Sequence, residues 1–114
     1  MDATELILLY DYYGDLLTPR QKECFELRYN QDLSLGEIGQ ELGISRQGVF
    51  DNLSRTEALL KNMEQKTGCV QRDQRCRKAI RTITDAANAL SKIENEQVAA
   101  LAQQIITAAN GLEE

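Results

Sequence analysis

Residues 34–53 read SLGEIGQELGISRQGVFDNL, and the fold turns on this stretch. Ser34 followed three positions later by Glu37 is a capping box, so a helix begins just after Ser34. Leu35, Ile38 and Leu42 line one side of that helix. Gly43 ends it by supplying the left-handed backbone that a sharp turn needs. Ser45 caps a second helix, whose inner side carries Val49 and Leu53. Gly39 falls where the two helices should cross, a place with room only for a small side chain. Ile38, Leu42, Ile44, Val49 and Leu53 supply the apolar filling between them, and the pattern is that of a helix-turn-helix.

Working outward, the same signals recur. A first helix is predicted over about Ala3–Leu16, with Leu6, Leu9, Tyr10, Tyr13, Leu16 and Leu17 on one face. Thr18 and Pro19 start a second, with Gln21 completing a capping box, and it ends near Asn30 after presenting Cys24, Phe25, Leu27 and Tyr29. The helix begun at Ser45 should run to about Lys66, with Leu60 and Met63 extending its inner stripe and Thr67-Gly68 stopping it. Beyond Gly68, Cys76, Ala79, Ile80, Ile83, Ala86, Ala87 and Leu90 share a face. Val98, Leu101, Ile105, Ala108, Ala109 and Leu112 stay in phase with it. One helix of about 40 residues and about 60 Å would fit that phase, but Ser91 with Glu94 looks like a capping box and predicts a break near Ser91. With one proline and no alternating β-branched run, the chain reads as all-α. A helix-turn-helix domain takes residues 1–67, and residues 68–114 form a C-terminal helical extension that packs on it or on a dimer mate.

Composition narrows the function. The chain has 114 residues, 42% hydrophobic and 27% charged, the profile of one globular domain. Its longest purely apolar run, Leu6 to Tyr10, is far short of a membrane span, so no membrane insertion is expected. Residues 1–17 contain no Lys or Arg, which is unlike a signal peptide and points to the cytoplasm. There is no histidine, which removes Ser-His-Asp and Cys-His nucleophile pairs and His-ligated zinc. Cys24, Cys69 and Cys76 form no C-x-x-C pair and read as free cytosolic thiols. Cys24 and Cys76 are expected in the core, and Cys69, beside Gly68, is the one expected at the surface. No phosphate loop, metal cluster or nucleophile–base pair is spelled out, so no catalytic residue, metal site or cofactor is expected and the chain reads as a non-enzyme.

The candidate binding residues lie on the second helix of the motif. With Val49 at 0° and about 100° per residue, the buried direction lies near 20° and the outward one near 200°. Asp51 falls at about 200°, Gln47 at about 160°, Ser54 at about 140° and Arg55 at about 240°. A carboxylate there repels phosphate and, among the bases, accepts only from cytosine. Arg46 and Gln47, at the helix start, could reach base edges, and Arg55 a phosphate. The face is polar and mixed rather than basic, which tilts the reading from duplex DNA toward a protein or RNA partner. Phe50, at about 100°, borders the buried side and reads as a core edge rather than an exposed anchor.

LLTPRQKECFELRY, residues 16–29, and SLGEIGQELGISRQGVFDNLSRTEALL, residues 34–60, together resemble the YlxM family of small bacterial proteins. The hallmark of the resemblance is Ser45-Arg46-Gln47, Val49, Asp51-Asn52 and Arg55-Thr56-Glu57, within a match over about residues 5–65. The same stretch is more distantly similar to region four of sigma factors. The resemblance implies a helix-turn-helix protein connected with the signal recognition particle pathway, through family members encoded beside the particle's GTPase and its receptor. It implies a regulatory partner of that particle and no catalytic residue. Ser45, Arg46, Gln47, Asp51, Asn52, Ser54 and Arg55 are then the candidate residues for binding a partner or nucleic acid. The alternative is a transcriptional regulator that binds duplex DNA. Gly36, Gly39 and Gly48 depart from the pattern, which has alanine there, at a cost of about 1 kcal/mol per helix-interior glycine unless close backbone approach requires them.

The net charge of −5 is unevenly spread: residues 1–17 and 94–114 carry acids and no bases, whereas Arg72, Arg75, Arg77, Lys78 and Arg81 crowd one segment. These bases wrap around their helix instead of forming a stripe. They read as a solvated surface pairing with Asp73, Asp85 or the acidic first helix, with phosphate contacts on RNA as the sharper alternative. The long apolar stripe of residues 71–112 exceeds what one small domain covers, which predicts a symmetric homodimer.

Overall fold

The structure, a computed structural model, describes residues 2–113 and divides them into two compact units that meet between Val70 and Gln71. Six α-helices follow one another: α1 Ala3–Tyr13, α2 Pro19–Tyr29, α3 Leu35–Leu42, α4 Arg46–Thr67, α5 Cys69–Ser91 and α6 Glu96–Gly111. No strand occurs among the described residues, and the helix-turn-helix is present as α3, a turn and α4.

The local signals explain most boundaries. The Thr18 and Ser34 capping boxes both close, each hydroxyl accepting from the backbone N–H three residues on, at 3.2 Å and 3.1 Å. The Glu37 carboxylate in return accepts from the Ser34 N–H at 3.0 Å, and hydrogen bonding from the Ser34 backbone, then from its side chain, holds the Glu37 pKa below the ordinary carboxylate value. Gly43 and Gly68 adopt left-handed backbones (φ 70° and 61°) and end α3 and α4. At Gly39 an added Cβ would stand 2.7 Å from the Ile44 carbonyl oxygen, so the close crossing requires the glycine. Gly36 meets nothing closer than the Ser34 hydroxyl, at 4.0 Å.

Two expectations about the ends of helices change. The first helix does not continue to Leu16. It gives way to a 3₁₀ turn over Gly14–Leu16, which breaks the 100° phase and leaves Leu16 71% exposed while Leu17 turns inward. The chain does break after Ser91, but Ser91 is not the cap. Asn95 is: its side-chain oxygen accepts from the Gln97 and Val98 N–H groups, while the Ser91 hydroxyl donates back to the Asn88 carbonyl.

The first unit has two adjoining cores. Leu6, Leu9, Tyr13, Leu17, Phe25, Leu60 and Val70 hold α1 and α2 to the far half of α4, with Tyr10 stacked on Phe25 at 4.2 Å between ring centroids. Cys24, Ile38 and Val49, flanked by Leu42, Ile44 and Leu53, form the predicted filling of the helix-turn-helix. Tyr13 also donates to Glu64 Oε1 at 2.6 Å, an oxygen that accepts the Val70 N–H as well, so one carboxylate ties α1 to the first turn of α5.

In the second unit, α5 and α6 form an antiparallel hairpin. Leu112 and Glu113 beyond the end of α6 line the same hollow as Asp73, Cys76, Arg77 and Ile80 of α5. Cys76, expected in the core, is exposed, and Cys69 is half-buried instead of being the surface thiol. The apolar face of α5 is wider than the line along which α6 packs, and Cys76 lies on its outer part.

Candidate functional site

The outward face of α4 carries three strips. Ser45 is spent locally: its Oγ accepts the Gly48 N–H at 2.9 Å and so opens the helix. Arg46 and Gln47 follow in the first turn, exposed, where the positive end of the helix dipole adds to the Arg46 charge. One turn on, Gln47 Nε2 donates to Asp51 Oδ1 at 3.0 Å. This i, i+4 pair forms the central ridge of the face, and it engages the Gln47 amide that would otherwise be free to read a base edge. Ser54, also exposed, continues the ridge.

On one side of the ridge lies a polar groove. Thr18, Arg20 and Gln21 at the start of α2 face Gly48, Asp51, Asn52 and Arg55 of α4 across it. Asn52 is half-buried in this wall, its Oδ1 shielded from solvent and without a hydrogen-bond partner, so of the predicted site residues it is the least available to a ligand. Arg55 is exposed, and Arg20 reaches the Leu42 carbonyl at 3.4 Å. Arg20 and Gln21 were missed by reasoning confined to the motif. Their signal was the Thr18-Pro19 start, which sets the first turn of α2 beside α4.

On the other side lies an apolar strip. Phe50 is 53% exposed and, with Leu35, Arg46 and Gln47, lines an open groove between α3 and α4. The expectation that Phe50 is a core edge is thus overturned. The space it would have filled is taken by Ile38, Val49 and Cys24, all fully buried. The basic segment shows one of the predicted pairs, Arg77 with Asp73 at 3.0 Å on successive turns of α5. Among the described residues no group of His, Cys, Asp and Glu could hold a metal ion, and no helix is long and apolar enough to cross a membrane.

A profile of the family described as "Putative helix-turn-helix protein, YlxM / p13 like", UPF0122, matches residues 1–101. The chain belongs to the UPF0122 family. A UPF0122 protein of Thermoanaerobacter sp. strain X514 is 53% identical over 73 residues, which cover 64% of this chain and 62% of that relative. The chain thus spans somewhat less than two-thirds of that relative's length. A UPF0122 protein of Caldanaerobacter subterraneus is 49% identical over 84 residues, 74% of this chain and 72% of its own. One from Geobacillus kaustophilus is 46% identical over 77 residues, 68% of this chain and 70% of its own. The family match takes in every residue of the helix-turn-helix and both walls of the polar groove.

Proposed function

We propose that this UPF0122 chain is a cytoplasmic, non-enzymatic accessory protein of the signal recognition particle pathway. In this reading its helix-turn-helix, residues 1–67, docks on a protein or RNA component of the particle. The connection to the particle comes from the resemblance to the YlxM family. The observation that carries the choice of partner class is the Gln47–Asp51 ridge. A carboxylate held at the centre of the outward face of α4 opposes the phosphates of a duplex and leaves little for base readout. The exposed Phe50 beside Arg46 suits instead a folded partner with an apolar contact point or an unstacked base. Residues 68–114 serve as an extension through which two copies associate.

The second reading is a transcriptional regulator on duplex DNA. Arg46 at the opening of α4, with Arg20 and Arg55 along the polar groove, favours it, since these could reach phosphates on either side of a major groove. The two readings separate in one titration series. Fluorescence anisotropy of the labelled chain is measured against particle RNA, against the particle's GTPase and against mixed genomic duplex, each at two salt concentrations. The accessory reading expects saturable binding to RNA or GTPase and a loss of at least about tenfold on Asp51→Arg, with helicity unchanged. Tight duplex binding that falls steeply with salt, with silence toward the particle, would replace it by the regulator.

A further inference from the structure

α5 and α6 pack on each other along a narrow line. On α5 only Ile80 and Ala87 of that line are buried, and on α6 only Ala102 and Ala109. Among the described residues each helix carries a second apolar stripe that lies outside the line of contact between α5 and α6. On α5, Cys76, Ala79, Ile83, Ala86 and Leu90 recur at alternating spacings of three and four, the repeat of a coiled-coil seam. All five are exposed, Ile83 at 47% and Leu90 at 41%. Leu101, Ile105 and Ala108 on α6, with Leu112 just past its end, keep the same alternation, Leu101 being 59% and Leu112 75% exposed. At 100° per residue each stripe lies about 75° from its own buried line, in the same rotational sense. In two antiparallel helices, equal rotations in one sense bring both stripes to the same side of the pair. The hairpin therefore presents a continuous two-helix apolar face, larger than the scattered apolar residues of an ordinary monomer surface.

We propose that this face is covered by a second copy of the chain, the two hairpins closing into an antiparallel four-helix bundle. The proposal rests on the self-association named above and specifies its surface and orientation. Charge decides the orientation. Residues 71–81 and 103–113, at one end of the hairpin, together hold five bases and two acids. Residues 85–96, at the other end, hold three acids and one base. Hairpins packed with like ends together would set basic against basic. A two-fold axis crossing the helices instead sets the basic end of each copy against the acidic end of its partner. Counting from the turn, Ile83 and Ile105 stand at about the same height near mid-hairpin. The axis passes close to both, so each of these residues meets its own counterpart. The alternating 3–4 spacing is what allows such knobs to fit the facing helices.

Sedimentation velocity of the full chain over a concentration series tests this, with Ile83→Glu and Ile105→Glu alongside and circular dichroism as the check on folding. The wild type is expected to be a dimer and each variant a monomer of unchanged helicity. As these changes could also loosen the hairpin, Ile83→Cys is made in a Cys69→Ser/Cys76→Ser background and oxidised mildly. It is expected to give a disulfide-linked dimer, because the two copies of position 83 face each other across the axis. A monomer at every concentration overturns the proposal. So does a dimer that survives Ile83→Glu, or one in which position 83 does not cross-link. The anisotropy titration is read separately: a monomer that still binds particle RNA or GTPase removes the bundle and leaves the accessory reading standing. A dimer that binds neither does the reverse.

Discussion

Gly39 and Gly36 sit three residues apart on α3 and have opposite reasons to be glycine. A methyl group at Gly39 would press on the Ile44 carbonyl at 2.7 Å, and that oxygen belongs to the turn that the motif is built around. Gly39→Ala should cost about 1–3 kcal/mol, the usual range for overpacking, in urea denaturation. Gly36 has open space around it, so Gly36→Ala should gain about 0.5–1 kcal/mol by relieving only the backbone entropy of glycine. Equal effects from the two substitutions would contradict the crossing geometry. Thr56 is fully buried on α4 with no hydrogen-bond partner for its hydroxyl. Thr56→Val keeps the shape and removes an unpaired polar group worth about 1–3 kcal/mol, so the variant should unfold at higher denaturant than the wild type. Phe50, by contrast, is not a stability residue. Phe50→Ala should leave the denaturation midpoint nearly unchanged and weaken binding to the partner.

At the scale of the element, caps decide where helices begin. Asn95→Ala removes the side-chain oxygen that serves two N–H groups of α6 and should cost about 1 kcal/mol, whereas Ser91→Ala should cost far less. The capping box of α3 adds a dependence on pH. The Glu37 carboxyl has its pKa lowered by bonds from Ser34, so the folded chain holds its proton less tightly than the unfolded one. Its stabilisation is present above the unfolded carboxylate pKa of about 4.3 and fades as pH falls through the lower folded value. Glu37→Gln should flatten this part of the acid limb of a stability–pH curve by lowering the plateau near neutrality, where the ionised carboxylate contributes, and leaving the acid end nearly unchanged.

For the first unit as a whole, the tyrosines that tie its helices set the alkaline limit. Burial, and then a hydrogen bond to Glu26, raise the Tyr10 pKa to about 12. Tyr13 is raised in the same direction by burial and by its bond to Glu64. A raised pKa means stabilisation that is complete below the unfolded tyrosine value of about 10 and is lost as pH climbs toward the folded one. Unfolding followed at rising pH should therefore steepen above about pH 10, and Tyr10→Phe should soften that slope. Alkaline curves that coincide for the wild type and Tyr10→Phe would remove Tyr10 from this role.

The sequence by itself determined the helices, the starts of α1 to α4 and the crossing within the motif, but not the cap of α6. A cap, an αL glycine or a capping box acts over three or four residues, so all its parts are visible in one short string. Ser34 with Glu37, Thr18 with Gln21, and Gly39, Gly43 and Gly68 were all legible for that reason. It also placed Gln47, Asp51, Ser54 and Arg55 on one outward face, because 100° per residue is enough to do so. What only the tertiary structure decided is which of several apolar neighbours is covered. Phe50, Leu16 and Cys76 are as apolar and as periodic as Val49, Leu17 and Ile80, yet they lie outside. A helix face spans more than the line along which another helix can touch it, and the arrival of a 3₁₀ turn or a neighbouring helix selects the buried part. The groove shared by Arg20, Gln21 and Arg55 has the same origin, since it exists only where α2 has been laid against α4.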